Sequence, residues 1–146
     1  MNNEADFKRV FKKSVKAQKG YSISLAAPML SGIPDLYVLM PGFIPVLLEA
    51  KWMKELKYGF EKKIPYTALQ KNFINECNNV YNCTAFGLIG FKYEKNIWCI
   101  MTTRDTISSR KNTSSDYLAL TKETKLFDIN LLFTNSGVPK LNNIHA

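Results

Sequence analysis

The 146-residue chain reads as a single α/β domain, a central sheet flanked by helices. Three observations predict it. An amphipathic, lysine-rich segment opens the chain, two apolar runs surround the Pro41-Gly42 turn, and a capped helical pattern near Thr67 precedes two further strand-like runs. Because no Gly/Ser-rich or Pro-rich stretch divides the chain, one domain spans 1–146, with a core over about 3–101 and peripheral elements and a tail over 102–146.

Residues 3–19 predict a helix with Phe7, Val10, Phe11 and Val15 on one face and Lys8, Arg9, Lys12, Lys13, Lys16 and Lys19 around the rest, ended by Gly20. Tyr21 to Ala27 reads as a first strand. After a loop through Pro28 and Ser31-Gly32, the apolar runs of residues 32–51 supply two more strands, and the three form a meander. Residues 52–65 mix Trp52, Tyr58 and Phe60 with Lys54, Lys57, Lys62 and Lys63 without a period, and read as a surface loop.

Thr67-Ala68-Leu69-Gln70 fits a capping box, so a helix runs from there to about Val80 and buries Leu69, Phe73, Ile74 and Cys77. Cys83 to Phe91 and Ile97 to Met101 form a hairpin that returns to the sheet. Beyond Thr102 the pattern weakens. Ser108 to Ser115 reads as a mobile polar loop, Tyr117 to Leu120 as a short edge strand, Phe127 to Phe133 as either a helical turn or a strand, and Asn135 onward as a loose tail.

Within the two apolar strands stand three charges, Asp35, Glu49 and Lys51. Ionised groups in such a setting are costly unless they pair or bind a metal. Alternation puts Glu49 and Lys51 on one face and turns the Ala50 side chain to the other, leaving the Ala50 carbonyl at the edge. If the hairpin folds symmetrically about Gly42, Asp35 faces Glu49 with Cβ atoms roughly 5 Å apart. Leu36, Val38, Met40, Val46, Leu48 and Ala50 then form a buried apolar face behind them. Two carboxylates and a carbonyl suit Mg²⁺ or Mn²⁺, and a neighbouring lysine can stabilise an attacking water or the developing charge on a phosphodiester. The plainer alternative is a structural ion pair.

The composition narrows the chemistry. A net charge of +8 favours a polyanionic partner, with nucleic acid ahead of membrane because no long apolar span or signal-like N-terminus is present; a soluble, cytoplasmic protein is expected. Cys77, Cys83 and Cys99 form neither a CxxC pair nor an even disulfide set, and the single histidine, His145, stands at the C-terminus. Zinc and histidine-based catalysis are therefore not expected.

Gly32-Ile33-Pro34-Asp35, thirteen residues, then Glu49-Ala50-Lys51 resembles the PD-(D/E)xK nuclease superfamily motif, with small Holliday-junction resolvases, VRR-Nuc domains and phage endonucleases most similar. The resemblance covers about residues 3–101 and implies a restriction-endonuclease-like core with a mixed β-sheet. It implies a Mg²⁺- or Mn²⁺-dependent endodeoxyribonuclease acting in DNA recombination and repair, with Asp35, Glu49 and the Ala50 carbonyl as metal ligands and Lys51 as the catalytic lysine. Glu4 matches an acidic residue that many members carry on the first helix; the alternative is a carboxylate favoured by the helix dipole. Gln70 matches a glutamine that some branches place on the helix after the ExK strand; the alternative is a capping-box side chain bonded to Thr67. Ile74 stands where an exonuclease-like branch carries tyrosine.

Lys8, Lys12 and Lys16 at helical spacing, with Lys54, Lys57, Lys62 and Lys63, are candidate DNA-backbone contacts. The resemblance favours branched DNA and a homodimer that cuts two strands. The competing readings are a nicking or restriction-type enzyme on duplex DNA and a non-catalytic DNA-binding module of the same fold.

Overall fold

The computed structural model describes residues 1, 3–25, 32–54, 56, 61–108, 118–120 and 125–141. Helix α1 (Glu4–Ala17) starts at Asn3, whose side chain accepts from the Asp6 amide at 2.8 Å. Strands β1 (Tyr21–Ser24), β2 (Leu36–Leu39) and β3 (Val46–Met53) form the antiparallel meander. After β4 (Glu61–Lys63), helix α2 (Ala68–Asn79) crosses over to β5 (Ala85–Tyr93), which pairs parallel with β3. β6 (Asn96–Thr102) returns antiparallel, and β7 (Thr106–Ser108), β8 (Leu118–Ala119) and α3 (Ile129–Asn135) follow. The main sheet has the order β1-β2-β3-β5-β6-β8; β4 and β7 form a separate ribbon. This is the expected α/β class, and the parallel β3–β5 pair makes the sheet mixed.

Alternation along the strands separates two layers. On one face α1 and α3 bury Phe7, Phe11, Val15, Ile129, Leu132 and Phe133 against Leu36, Val38, Val46, Leu48, Ala50 and Leu88. On the other, Ile74 and Cys77 of α2 pack on Leu47 and Ala85. The apolar hairpin face expected from the sequence is wholly buried.

Several expectations are corrected. Lys19, not Gly20, takes the left-handed conformation after α1 (φ 66°); Gly20 instead sits where a Cβ would lie 2.4 Å from Met40 Sδ. Residues 52–65 are not simply a surface loop, because Trp52 and Met53 extend β3, Leu56 and Ile64 are buried and β4 pairs with β7. Three exposed residues make up β4, so it offers no alternation to read. Leu69 is 55% exposed: it lies on the solvent side of α2, while Ile74 and Cys77 carry that helix's burial.

The undecided segment contains α3, and the stretch after Asn135 is not loose. Val138 is buried, Phe43 bridges to Lys140, and the Ile44 amide donates to the Pro139 carbonyl at 3.0 Å. Gln18 anchors this region by accepting from the Ile129 amide at 2.9 Å and donating to the Phe127 carbonyl at 2.8 Å. Ala26 to Ser31, Lys57, Tyr58, Phe60, the polar loop from Ser109 onward and the end of the tail with His145 lie outside the described residues.

Candidate active site

The β2–β3 turn sets the geometry. Pro41 pre-sets its own φ, Gly42 takes φ +84°, and the Phe43 amide donates to the Met40 carbonyl at 3.1 Å, closing a tight turn in which glycine is required. The register follows from it: Leu36 faces Leu48, Tyr37 faces Leu47 and Val38 faces Val46. This is the symmetric pairing expected, and Asp35, one residue before β2, arrives beside Glu49 and Ala50.

Asp35 Oδ1 accepts from the Ala50 amide at 3.0 Å, and Oδ2 lies 2.6 Å from Lys8 Nζ. Since a strand residue's N–H and C=O point to the same side, the Ala50 carbonyl also lies on the Asp35 side of β3. Glu49, only 5% exposed, faces α2. Its Oε1 accepts from Gln70 Nε2 at 2.7 Å and lies 3.8 Å from Lys51 Nζ, while Oε2 is buried with no hydrogen-bond partner among the described residues.

Gln70 does two jobs at once. Its Oε1 accepts from the Thr67 amide at 2.9 Å, completing the capping box, and its amide nitrogen reaches Glu49. The two readings of this residue are compatible because the carboxamide's acceptor and donor ends are separate. The cap orients the side chain, which then holds the carboxylate.

Glu4 stands at the rim, with Lys8 Nζ 3.6 Å from its carboxylate. It does not join Phe7 and Phe11 in the core, since its side chain keeps 43% of its exposure. Lys8 is placed differently from expectation: it lies between Glu4 and Asp35, inside the acidic cluster, rather than on a free basic face. The sequence signal was present, as Lys8 is one helical turn from Glu4. Lys12 contacts Ser24 Oγ, and Lys16, Lys54, Lys62 and Lys63 are exposed.

Burial first, then the Asp35 charge, pushes the Glu49 carboxyl up to about 7, with Lys51 opposing. Between the ordinary carboxylate range and pH 7 the unfolded chain therefore holds fewer protons at this position than the folded one. Stability of metal-free protein is expected to fall as pH rises from about 4.5 to about 7 and then to level off. Thermal unfolding of wild-type and Glu49→Gln protein in a chelator checks this; an identical pH profile for both would remove the assignment.

Tyr66 is a neighbour that sequence reasoning missed. Its hydroxyl is buried without a hydrogen-bond partner among the described residues, and burial followed by the Glu49 charge holds the phenol protonated well above its usual range. The available signal was Gly87, one of two glycines inside β5, since a glycine within a strand marks a close approach.

The donor chemistry fits a hard divalent cation. Asp35, Glu49 and the Ala50 carbonyl offer oxygen ligands at the open end of the β2–β3 hairpin, and Glu49 Oε2 is a buried acceptor without a hydrogen-bond partner among the described residues. Among the described residues no group of three or more His, Cys, Asp or Glu side chains converges to hold a metal. Two carboxylates suffice for Mg²⁺, which keeps several waters.

No described helix is long and apolar enough to cross a membrane. No family model and no curated protein matches the chain. Among solved structures it is similar to Archaeoglobus fulgidus Hjc, a Holliday junction resolvase from an archaeal hyperthermophile, at 11% identity over 97% of this chain and 99% of that chain, with a TM-score of 0.47.

Proposed function

We propose that this chain is a divalent-metal-dependent DNA endonuclease that prefers branched DNA. The observation that carries the reading is the meeting of Asp35, Glu49 and Lys51 at the open end of the β2–β3 hairpin, each in a different polar contact and all within electrostatic reach. A bound Mg²⁺ or Mn²⁺ ion would polarise the phosphodiester and lower the pKa of a water. Asp35, Glu49 and the Ala50 carbonyl would hold it.

The residues themselves do the rest. The Ala50 amide fixes one Asp35 oxygen and leaves the other facing the cluster. Gln70 fixes one oxygen of Glu49, so the second keeps a defined direction. Lys51, on the same face as Glu49, places an ammonium where charge builds on the phosphate. Glu4 and Lys8 close the rim, Lys8 neutralising Asp35 until substrate and cation enter. The preference for branched DNA, and a homodimer that cuts two strands, follow from the motif's resemblance to junction resolvases.

Lys12, Lys16, Lys54, Lys62 and Lys63, with Lys57, would hold the backbone. If five of them each meet one phosphate, the log–log dependence of affinity on salt has a slope of roughly −4 to −5. Fluorescence-anisotropy titrations of a labelled junction check it, and affinity that is flat between low and moderate salt contradicts this surface.

One competing reading has an observation in its favour. Asp35 and Glu49 each already face a lysine, as a non-catalytic DNA-binding module of this fold would allow. Incubating a four-way junction, matched linear duplex and single strand with the protein in Mg²⁺ separates the possibilities. Junction cutting abolished by chelator supports the proposal; equal cutting of duplex points to a nicking or restriction-type enzyme; binding without cutting points to the module.

A further inference from the structure

Tyr66 precedes the α2 cap, and its ring lies over β5 at Gly87. A Cβ built on Gly87 would stand 1.4 Å from the Tyr66 hydroxyl oxygen and 2.6 Å from Cζ. Gly87 is the register partner of Glu49 on the adjacent parallel strand. In-register neighbours share a face, so the phenol oxygen is set down beside the Glu49 carboxylate. Glycine is what leaves it room.

Two buried polar atoms meet there in a complementary state. Tyr66 Oη and Glu49 Oε2 both lack a protein partner among the described residues. A phenol has a proton to give, and a carboxylate has only lone pairs to receive it. The other carboxylate oxygen is already engaged by Gln70 and Lys51. The Thr102 carbonyl oxygen adds a third polar group, 3.4 Å from the position of the Gly87 Cβ. Two to four such groups are the partners that an ordered buried water needs, provided the space admits it.

We propose that Tyr66 is a positioning residue, its hydroxyl and Glu49 Oε2 sharing one buried water that aims this second carboxylate oxygen into the site. Gln70 and Tyr66 then grip the carboxylate from its two oxygens. Glu49 is held in one orientation before any cation arrives, as outer partners of metal ligands commonly arrange. This assignment rests on the nuclease reading above for its purpose, though not for its geometry.

Tyr66→Phe removes the hydroxyl and keeps the ring, so the packing over Gly87 survives. The expected result is an unchanged or raised melting temperature, with Mn²⁺ affinity by titration calorimetry reduced about 10–100-fold. Junction cleavage should lose a comparable factor in kcat with KM unchanged. Gly87→Ala, whose methyl group evicts the Tyr66 hydroxyl, should reproduce the Mn²⁺ defect; should it fail to fold, Tyr66→Phe decides alone. Tyr66→Phe protein that binds Mn²⁺ as tightly as wild type, or wild type that binds none, overturns the proposal. Wild type that binds Mn²⁺ but cuts no DNA overturns the nuclease reading instead, and the Mn²⁺ comparison still judges Tyr66.

Discussion

Lys51→Met is expected to lower single-turnover cleavage of a four-way junction by about 10²–10³-fold, the cost of removing one preorganised group aimed at developing charge. Methionine keeps the length and apolar stem of the side chain, and the position is half-buried, so the fold should persist. What disappears is the ammonium 3.8 Å from Glu49 Oε1. Asp35→Asn is the companion variant. Asparagine retains an oxygen for the Ala50 amide but removes the charge facing Lys8, so cutting should fall at least as far while circular dichroism stays unchanged. Full activity in either variant would remove these residues from the chemistry.

Phe7→Ala should be the most destabilising single change considered, costing about 3–5 kcal/mol in denaturant unfolding. Phe7 is fully buried, its ring reaching to 2.6 Å from the place of a Gly90 Cβ and packing at 5.9 Å from Trp52 and 6.0 Å from Phe127. It thus joins α1, the sheet and the C-terminal segment in one contact. Against a typical total of about 5–15 kcal/mol, such a loss is a large share of the stability. The same change loosens the helix that carries Glu4 and Lys8, so a chain that still folds should also show weakened activity. A loss below about 1 kcal/mol would mean that α1 is not anchored through this ring.

Much of the site was legible because local rules governed it. Pro41-Gly42 specifies a tight turn, the turn specifies the register, and the register brings Asp35 to Glu49; strand alternation then puts Lys51 on the Glu49 face. The capping box around Thr67 was equally local, and it placed α2 within one residue. Leu69 shows the limit of this reasoning. Helical spacing states which residues share a face, but which face meets the sheet depends on the path of the β3–β5 crossover, and Leu69 fell on the solvent side. The C-terminal segment was illegible for a related reason: its order comes from Gln18 and Phe43, ninety or more residues away along the chain, and no local pattern records them.

By itself, then, the sequence determined an α/β domain with paired carboxylates and a lysine at one end of an apolar hairpin, because dihedral preferences, side-chain period and the cost of burying charge act over a few residues. The tertiary structure alone decided that Lys8 faces Asp35, that Gln70 holds Glu49 while capping its helix, and that Tyr66 lies over Gly87. Those contacts join different elements across the two faces of the sheet, and packing distances between elements are set by the whole core rather than by any segment of it.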